Sequence, residues 1–429
     1  MGSGAHDGYL PRIADGELDV LCAELPAVAL EGPRAVGKTE TALRRATTVH
    51  RLDDVAELDI ARADPSRLAK GEPLVLIDEW QRLPASWDVV RRAVDADPRT
   101  PRFLLTGSAA PAQVPTHSGA GRIVTVRLRP LSLAERGLCT PTVSLGNLLA
   151  GSGTVVDGAS PLRLEDYAVQ ITGSGFPGLV GHSQRASRAF LDGYLDRIAE
   201  RHVHEQGRTL RNRAALRRWM AAYAAATSTT TTFEQIRDAA SPGEADKPTK
   251  ATTIAYRAAL EGLWLIEELP AWLPVRNHLR RLASAPVHQF ADPALAARLL
   301  ETDTDALLAG RDSGHGLDRD SSLLGALFES LVTLSVRVYA QANEAKVFHL
   351  RTQGGEHEID LIVQGPGGRI VAVEVKLTQT ASRSDTRHLR WLAERIGPAL
   401  ADAAVITTGP EAYRRPDGIA VIPAALLTA

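Results

Sequence analysis

Short apolar runs alternating with amphipathic stretches set the pattern of the first third of the chain. Residues 27–31, 73–77, 102–105 and 124–128 are apolar, too short for helices, and bounded by glycine, proline or polar residues. That pattern predicts buried strands. Helical spacing intervenes at 39–46, 53–68 and 87–95. Strands alternating with helices predict an α/β fold with a parallel sheet that takes its ligand at the strands' carboxyl ends.

After Pro130 the pattern changes. Helical spacing is predicted at 131–137 and 162–172, around a Gly/Ser/Thr-rich loop at 151–160. Residues 188–225 read as helical and rich in arginine. The Ser/Thr run 227–232 predicts a turn ending in a helix N-cap. Helices at 233–239 and 251–260 and an apolar run at 263–269 then suggest helix, turn, helix and a β-like wing. An apolar helix is predicted at 322–340, followed by strands at 347–351, 358–363 and 370–377, a helix at 384–396 and a strand at 403–407. No internal repeat is visible.

Composition narrows the class. The chain has 429 residues, 44% hydrophobic and 23% charged, with a net charge of −2. This is a globular composition with room for two to four domains, and it excludes a wholly basic nucleic-acid coat. Two cysteines, Cys22 and Cys139, cannot build a disulfide framework or a four-thiolate zinc site. A reducing, cytoplasmic setting is expected. No run is read as a membrane span, and Met1–Asp7 lacks the basic segment and apolar run of a secretory signal. Only six lysines stand among 49 basic residues. Two of them, Lys38 and Lys376, fall in the motifs that follow.

Gly32-Pro33-Arg34-Ala35-Val36-Gly37-Lys38-Thr39 fits G-x-x-x-x-G-K-[ST], between a predicted strand and a predicted helix. Such a loop turns backbone N–H groups toward phosphate oxygens at a helix N-terminus. Lys38 is expected on the β- and γ-phosphates of ATP, and Thr39 on Mg²⁺. The strand ending in Asp78-Glu79 supplies the second half: Asp78 for the Mg²⁺ shell and Glu79 to polarise the attacking water. Thr106 and Ser108, at the next strand end, are candidates to sense the γ-phosphate or the lytic water, and otherwise cap a turn. Arg122 is a candidate γ-phosphate ligand from its own or a neighbouring subunit, and otherwise a surface arginine.

These residues carry a resemblance. Tyr9-Leu-Pro-Arg-Ile13, Glu31-Gly-Pro-Arg-Ala-Val-Gly-Lys-Thr39, Ile77-Asp-Glu-Trp-Gln81, Leu105-Thr-Gly-Ser108, Gly121-Arg-Ile-Val124 and Arg129-Pro-Leu-Ser-Leu-Ala-Glu135 resemble the AAA-type ATPases of bacteria and archaea that carry a C-terminal domain of unknown function. The resemblance continues through Gly173-Ser-Gly-Phe-Pro177, Tyr194-Leu-Asp-Arg-Ile198, Ala291-Asp-Pro-Ala-Leu-Ala296 and Glu374-Val-Lys376. Ser174 departs from it, since the family often has glycine there. The resemblance implies ATP binding and Mg²⁺-dependent hydrolysis. AAA-type sites are often completed between subunits, which leaves a homo-oligomer open.

Residues 358–363 and 370–377 flank Gln364-Gly-Pro-Gly-Gly-Arg369 and read as a hairpin. A three-residue loop, 366–368, sets Asp360 opposite Glu374; a two-residue loop would break that pairing. Opposed carboxylates repel unless a cation lies between them, and Mg²⁺ or Mn²⁺ would serve. Lys376 could orient a water for attack on a phosphodiester. Glu329 lies on the helix side bearing Gly325 and Ala326, which leaves room for a site. Glu329, Asp360, Glu374 and Lys376 together resemble the metal site of the PD-(D/E)xK nucleases. The plain alternative is a hairpin with one charged, solvated face.

Arg197, Arg201, Arg208, Arg211, Arg213, Arg217 and Arg218 crowd one helical region, and Arg276, Arg280 and Arg281 follow Trp264 and Trp272. A basic helix-turn-helix face would suit a DNA backbone; a solvated arginine-rich face is the alternative. His202 and His204 read as structural. The expected organisation is an AAA-type ATPase domain at 1–140, a helical connector at 141–195, a helical, winged-helix-like region at 196–300 and a PD-(D/E)xK nuclease-like, restriction-endonuclease-like α/β domain at 301–429. The expected function is ATP hydrolysis coupled to a DNA-binding, metal-dependent nuclease half. The competing reading is a nucleotide-controlled switch or scaffold that binds protein and cuts nothing.

Overall fold

The computed structural model describes residues 8–108, 119–151, 154–202, 213–241, 243, 247–273, 285–310, 323–352 and 354–429. Five parallel strands form the first sheet: β1 (Ala27–Glu31), β2 (Thr48–Arg51), β3 (Val75–Asp78), β4 (Phe103–Gly107) and β5 (Val124–Arg127), in the order β2-β3-β4-β1-β5. Side chains alternate between two cores. Val28 and Leu30 face one, while Ala27 and Ala29 face the other. Burial on both faces is why these strands read as unbroken apolar runs.

Local chemistry corrects three boundaries. The helix expected over 53–68 ends at Ala63, and Asp64 then caps a 3₁₀ turn, Pro65–Ala69, by accepting from Ser66 N–H. The segment 131–137 forms only a 3₁₀ turn, Ala134–Arg136. Strand β2 was not expected at all. Its sequence, Thr-Val-His-Arg, is polar because it lies at the sheet edge and is half-buried.

The second sheet runs β11-β12-β10-β9-β8-β7. Here β7 (Lys346–Arg351), β8 (Glu358–Gln364) and β9 (Ile370–Val375) form an antiparallel meander, β10 (Leu400–Thr407) and β12 (Ala420–Pro423) continue it in parallel, and β11 (Tyr413–Arg414) closes one edge. Leu361 pairs with Val373 and Gln364 with Ile370, the register that a three-residue loop requires. The amphipathic helix Arg387–Ile396 covers one face, burying Leu389 and Leu392. The helix Leu323–Ala342 covers the other. Its 20 residues, with a mean hydropathy of 1.4 over the most apolar 18-residue window, are long and apolar enough to cross a membrane, against the expectation that no segment would be. Its most apolar window is 78% buried inside the protein, so a core helix explains the same composition.

In the middle, helices Arg213–Ala225, Phe233–Ala239 and Lys250–Gly262 precede bridges between Ile266 and Phe290 and between Leu269 and Val287. Thr232 caps the second helix reciprocally with Gln235, as the Ser/Thr run suggested. The first part of the expected connector belongs elsewhere. A two-residue strand β6 (Val143–Ser144) pairs with β13 (Leu427–Thr428), Ala412 N–H donates to Gly158 O, and Ser160 N–H donates to Pro410 O. One apolar cluster is continuous from Ala14 to Leu427.

Candidate active site

The phosphate loop leaves β1 at Gly32, whose φ is +157°; a Cβ there would stand 2.1 Å from Leu128 O. The loop therefore closes only on glycine. Gly37, at φ +91°, sits at the start of helix Lys38–Leu43. Lys38 is buried, and its Nζ donates to Gly32 O (3.0 Å) and Pro33 O (2.7 Å). Burial pulls its ammonium down to about 8, with the Glu79 and Asp78 carboxylates opposing that pull.

Asp78 is buried at the end of β3. Thr39 Oγ1 donates to its Oδ1 at 2.8 Å, and Thr106 Oγ1 donates to the same oxygen. Burial raises this carboxyl, and the two hydroxyls counter the rise. Glu79 follows in a left-handed conformation, φ 56°. Ser108 Oγ reaches both of its oxygens, at 2.7 and 2.9 Å, and Gln81 Nε2 donates to Oε2. Thr106 and Ser108 thus hydrogen-bond the two carboxylates.

Further buried contacts surround the site. Arg12 is buried; its Nη1 donates to Val36 O (2.9 Å) in the loop, its Nη2 to Arg129 O, and its Nε to Glu135 Oε1 (3.1 Å). Tyr194 Oη donates to Arg34 O at 3.3 Å. Ser174 Oγ and Gly175 N–H donate to buried Asp292, which also caps the helix Pro293–Leu299. The blocks that hold Arg12, Arg129 and Tyr194 therefore meet at the loop. Beside it lies a cavity of about 350 Å³ lined by Tyr9, Leu10, Arg12, Gly37, Thr41 and Pro177.

Arg122 is elsewhere. It precedes β5, at the amino end of that strand, whereas the loop follows the carboxyl end of the adjacent, parallel β1, and its Nε pairs with Asp95 at 2.6 Å. Several cations of the middle region are ion-paired. Arg213 pairs with Glu200, Arg217 with Asp196, Lys247 with Asp238, Lys250 with Glu234, and Arg257 with Glu261 and Glu268. Arg208, Arg211, Arg276, Arg280, Arg281 and His204 lie outside the described residues, as do the side chains of Arg201 and His202.

In the C-terminal sheet, Glu374 is buried, Lys376 Nζ stands 3.5 Å from its Oε2, and its Oε1 has no hydrogen-bond partner among the described residues. Burial and the facing Asp360 push Glu374 well above the usual carboxylate range; Glu329 is raised in the same way, with Asp360 and Glu358 adding to burial. Asp360 Oδ2 accepts from Val375 N–H at 2.7 Å. The four residues are neighbours. Among the described residues, no three His, Cys, Asp or Glu side chains are placed to hold a metal ion.

Residues 24–136 match the family model of an AAA domain. Residues 164–306 and 324–427 match two domains of unknown function, DUF8612 and DUF4143. Uncharacterised proteins of Mycobacterium bovis and Mycobacterium tuberculosis are each 27% identical over 407 residues, covering 93% of this chain and 80% of theirs. A solved structure of Drosophila ORC bound to DNA aligns with 64% of this chain and 91% of its own, at 13% identity and a TM-score of 0.21. With the loop and the five-stranded sheet, the family match gives the N-terminal segment as an AAA-type P-loop domain.

Proposed function

We propose that this chain is a Mg²⁺-dependent ATPase whose nucleotide cycle acts as a switch on its C-terminal half. One observation carries the reading: a loop that closes only on glycine places Lys38 and Thr39 beside a buried Asp78 already held by two hydroxyls. The donor set fits the ion. Thr39 and Asp78 would hold Mg²⁺, which neutralises charge on the transferring phosphoryl group. Lys38 would exchange the two loop carbonyls for phosphate oxygens. The adjacent cavity, with Tyr9, Leu10 and Pro177 on its wall, is large enough for the nucleoside end. Glu79 would polarise water only after loosening from Ser108 or Gln81.

Phosphate release tests this directly. Lys38→Ala should abolish it. Glu79→Gln should still bind ATP with turnover reduced about 10²–10⁴-fold, the usual worth of a general base. Wild-type turnover in Lys38→Ala would refute the site.

A second reading rests on the partnerless Glu374 oxygen facing Asp360 and Lys376: a Mg²⁺- or Mn²⁺-dependent nuclease acting on DNA. Its test incubates wild type and Glu374→Ala with ATP, either metal, and linear or supercoiled DNA. Cleavage lost in Glu374→Ala supports it. Absence of cleavage in wild type leaves the switch.

A further inference from the structure

We propose that Arg127 is a second phosphate-binding cation of the nucleotide site, held away from it by Glu267 and Trp264, and that a triphosphate draws it off them. This rests on the ATPase reading above. Arg127 ends β5 and pairs in register with Glu31, the residue before Gly32. Its charge is felt by both Lys38 and Glu31. Its guanidinium lies 3.8 Å from the Trp264 ring centroid and 3.8 Å from Glu267 Oε2, while its buried Nε has no hydrogen-bond partner among the described residues. It is thus a buried cation with incomplete bonding, beside a loop built for anions.

Its present partner is already served. Arg129 grips Glu267 with two hydrogen bonds, at 3.0 and 2.6 Å, and Arg337 approaches the same carboxylate at 3.8 Å. Of the three guanidiniums facing this carboxylate only Arg129 hydrogen-bonds it, and Arg337 spends its donors on the backbone carbonyls of 267 and 268, so Arg127 is held here by charge and ring contact alone. A γ-phosphate offers it charge-assisted bonds that Glu267 does not. Trp264 holds a left-handed φ of 62°, rare for a bulky side chain, at the exit of helix Lys250–Gly262. Departure of Arg127 would remove the stacked cation from that strained residue. The segment beyond it, Leu265–Leu269, makes the middle region's bridges, and Arg337 ties its carbonyls at 267 and 268 to helix Leu323–Ala342. Nucleotide occupancy would then reach the helix that carries Glu329.

The sign of the coupling is the test. If triphosphate binding and the Arg127–Glu267–Trp264 contact compete, then weakening the contact must tighten binding, because coupling is reciprocal. Calorimetric titration of Mg²⁺ with a non-hydrolysable ATP analogue, and separately with ADP, would compare wild type with Glu267→Gln and Trp264→Leu. Each variant should bind the analogue about fivefold tighter or more, with ADP affinity unchanged. Arg127→Gln should lose the preference for the analogue over ADP, and Arg127→Lys should restore part of it. Should Glu267→Gln fail to fold by circular dichroism, Trp264→Leu decides alone. Unchanged or weaker analogue binding in the folded variants overturns the inference, since a merely structural contact gives that result. No binding by wild type would instead sink the ATPase reading itself.

Discussion

Three residues of the site, Ala35, Glu79 and Ser174, stand in backbone conformations that their side chains disfavour. Ala35, inside the phosphate loop, has φ 65°. A left-handed L-residue costs about 1–2 kcal/mol, while glycine loses about 0.5–1 kcal/mol more entropy on folding. Ala35→Gly should therefore stabilise the protein by a few tenths to about 1 kcal/mol, read as a raised denaturation midpoint. Ser174, at φ 74°, holds a conformation that glycine adopts more readily. Its hydroxyl on Asp292 offsets that strain. Ser174→Ala keeps the strain and loses the bond, and should cost about 1–3 kcal/mol, because Asp292 is buried. The phosphate loop was legible in the sequence because its constraint is local: glycines, a lysine and a threonine within eight positions. The Arg12–Glu135 pair was not, since its partners lie 123 positions apart and neither has an unusual neighbourhood.

Elements were legible where burial imposed a period, and obscure where it did not. The central strands β1, β3 and β4 lie between two cores, so their sequences are unbroken apolar runs. Edge strand β2 and the two-residue strands β6 and β13 leave no such trace, and only pairing with distant chain defines them. The hairpin β8–β9 was legible down to register, because its loop length fixes which residues face. The same logic makes it fragile. Deleting Gly367 shortens the loop by one residue, and a one-residue slip turns every side chain to the opposite face. Leu361 and Val363 would leave the core shared with Val371 and Val373. Chemical denaturation of that deletion variant should show loss of the C-terminal sheet's cooperative transition; a transition like the wild type's would contradict this account of the register.

At the scale of the molecule, the expected boundaries at 140 and 195 cut through shared structure. The core continues across both, and Glu267 binds β5, the middle bridges and helix Leu323–Ala342 into one joint through Arg129, Arg127 and Arg337. That joint has a pH signature. Burial alone would raise the Glu267 carboxyl, yet its three arginines hold it well below the usual carboxylate value of 4.5. A carboxyl with a lowered folded pKa adds stability that is fully present above the unfolded value and is lost as pH falls below it, because the unfolded chain then binds the proton first. Other carboxylates titrate in the same window, so the comparison must be between variants. Wild type should lose thermal stability more steeply below about pH 4.5 than Glu267→Gln, which has no proton to take up at this position and should be the less stable of the two at pH 7. The two curves should converge as the pH approaches the folded value. Parallel curves from pH 7 down to pH 3 would mean that the arginines do not hold Glu267 ionised, and that the joint between nucleotide sheet and C-terminal helix is made by packing alone.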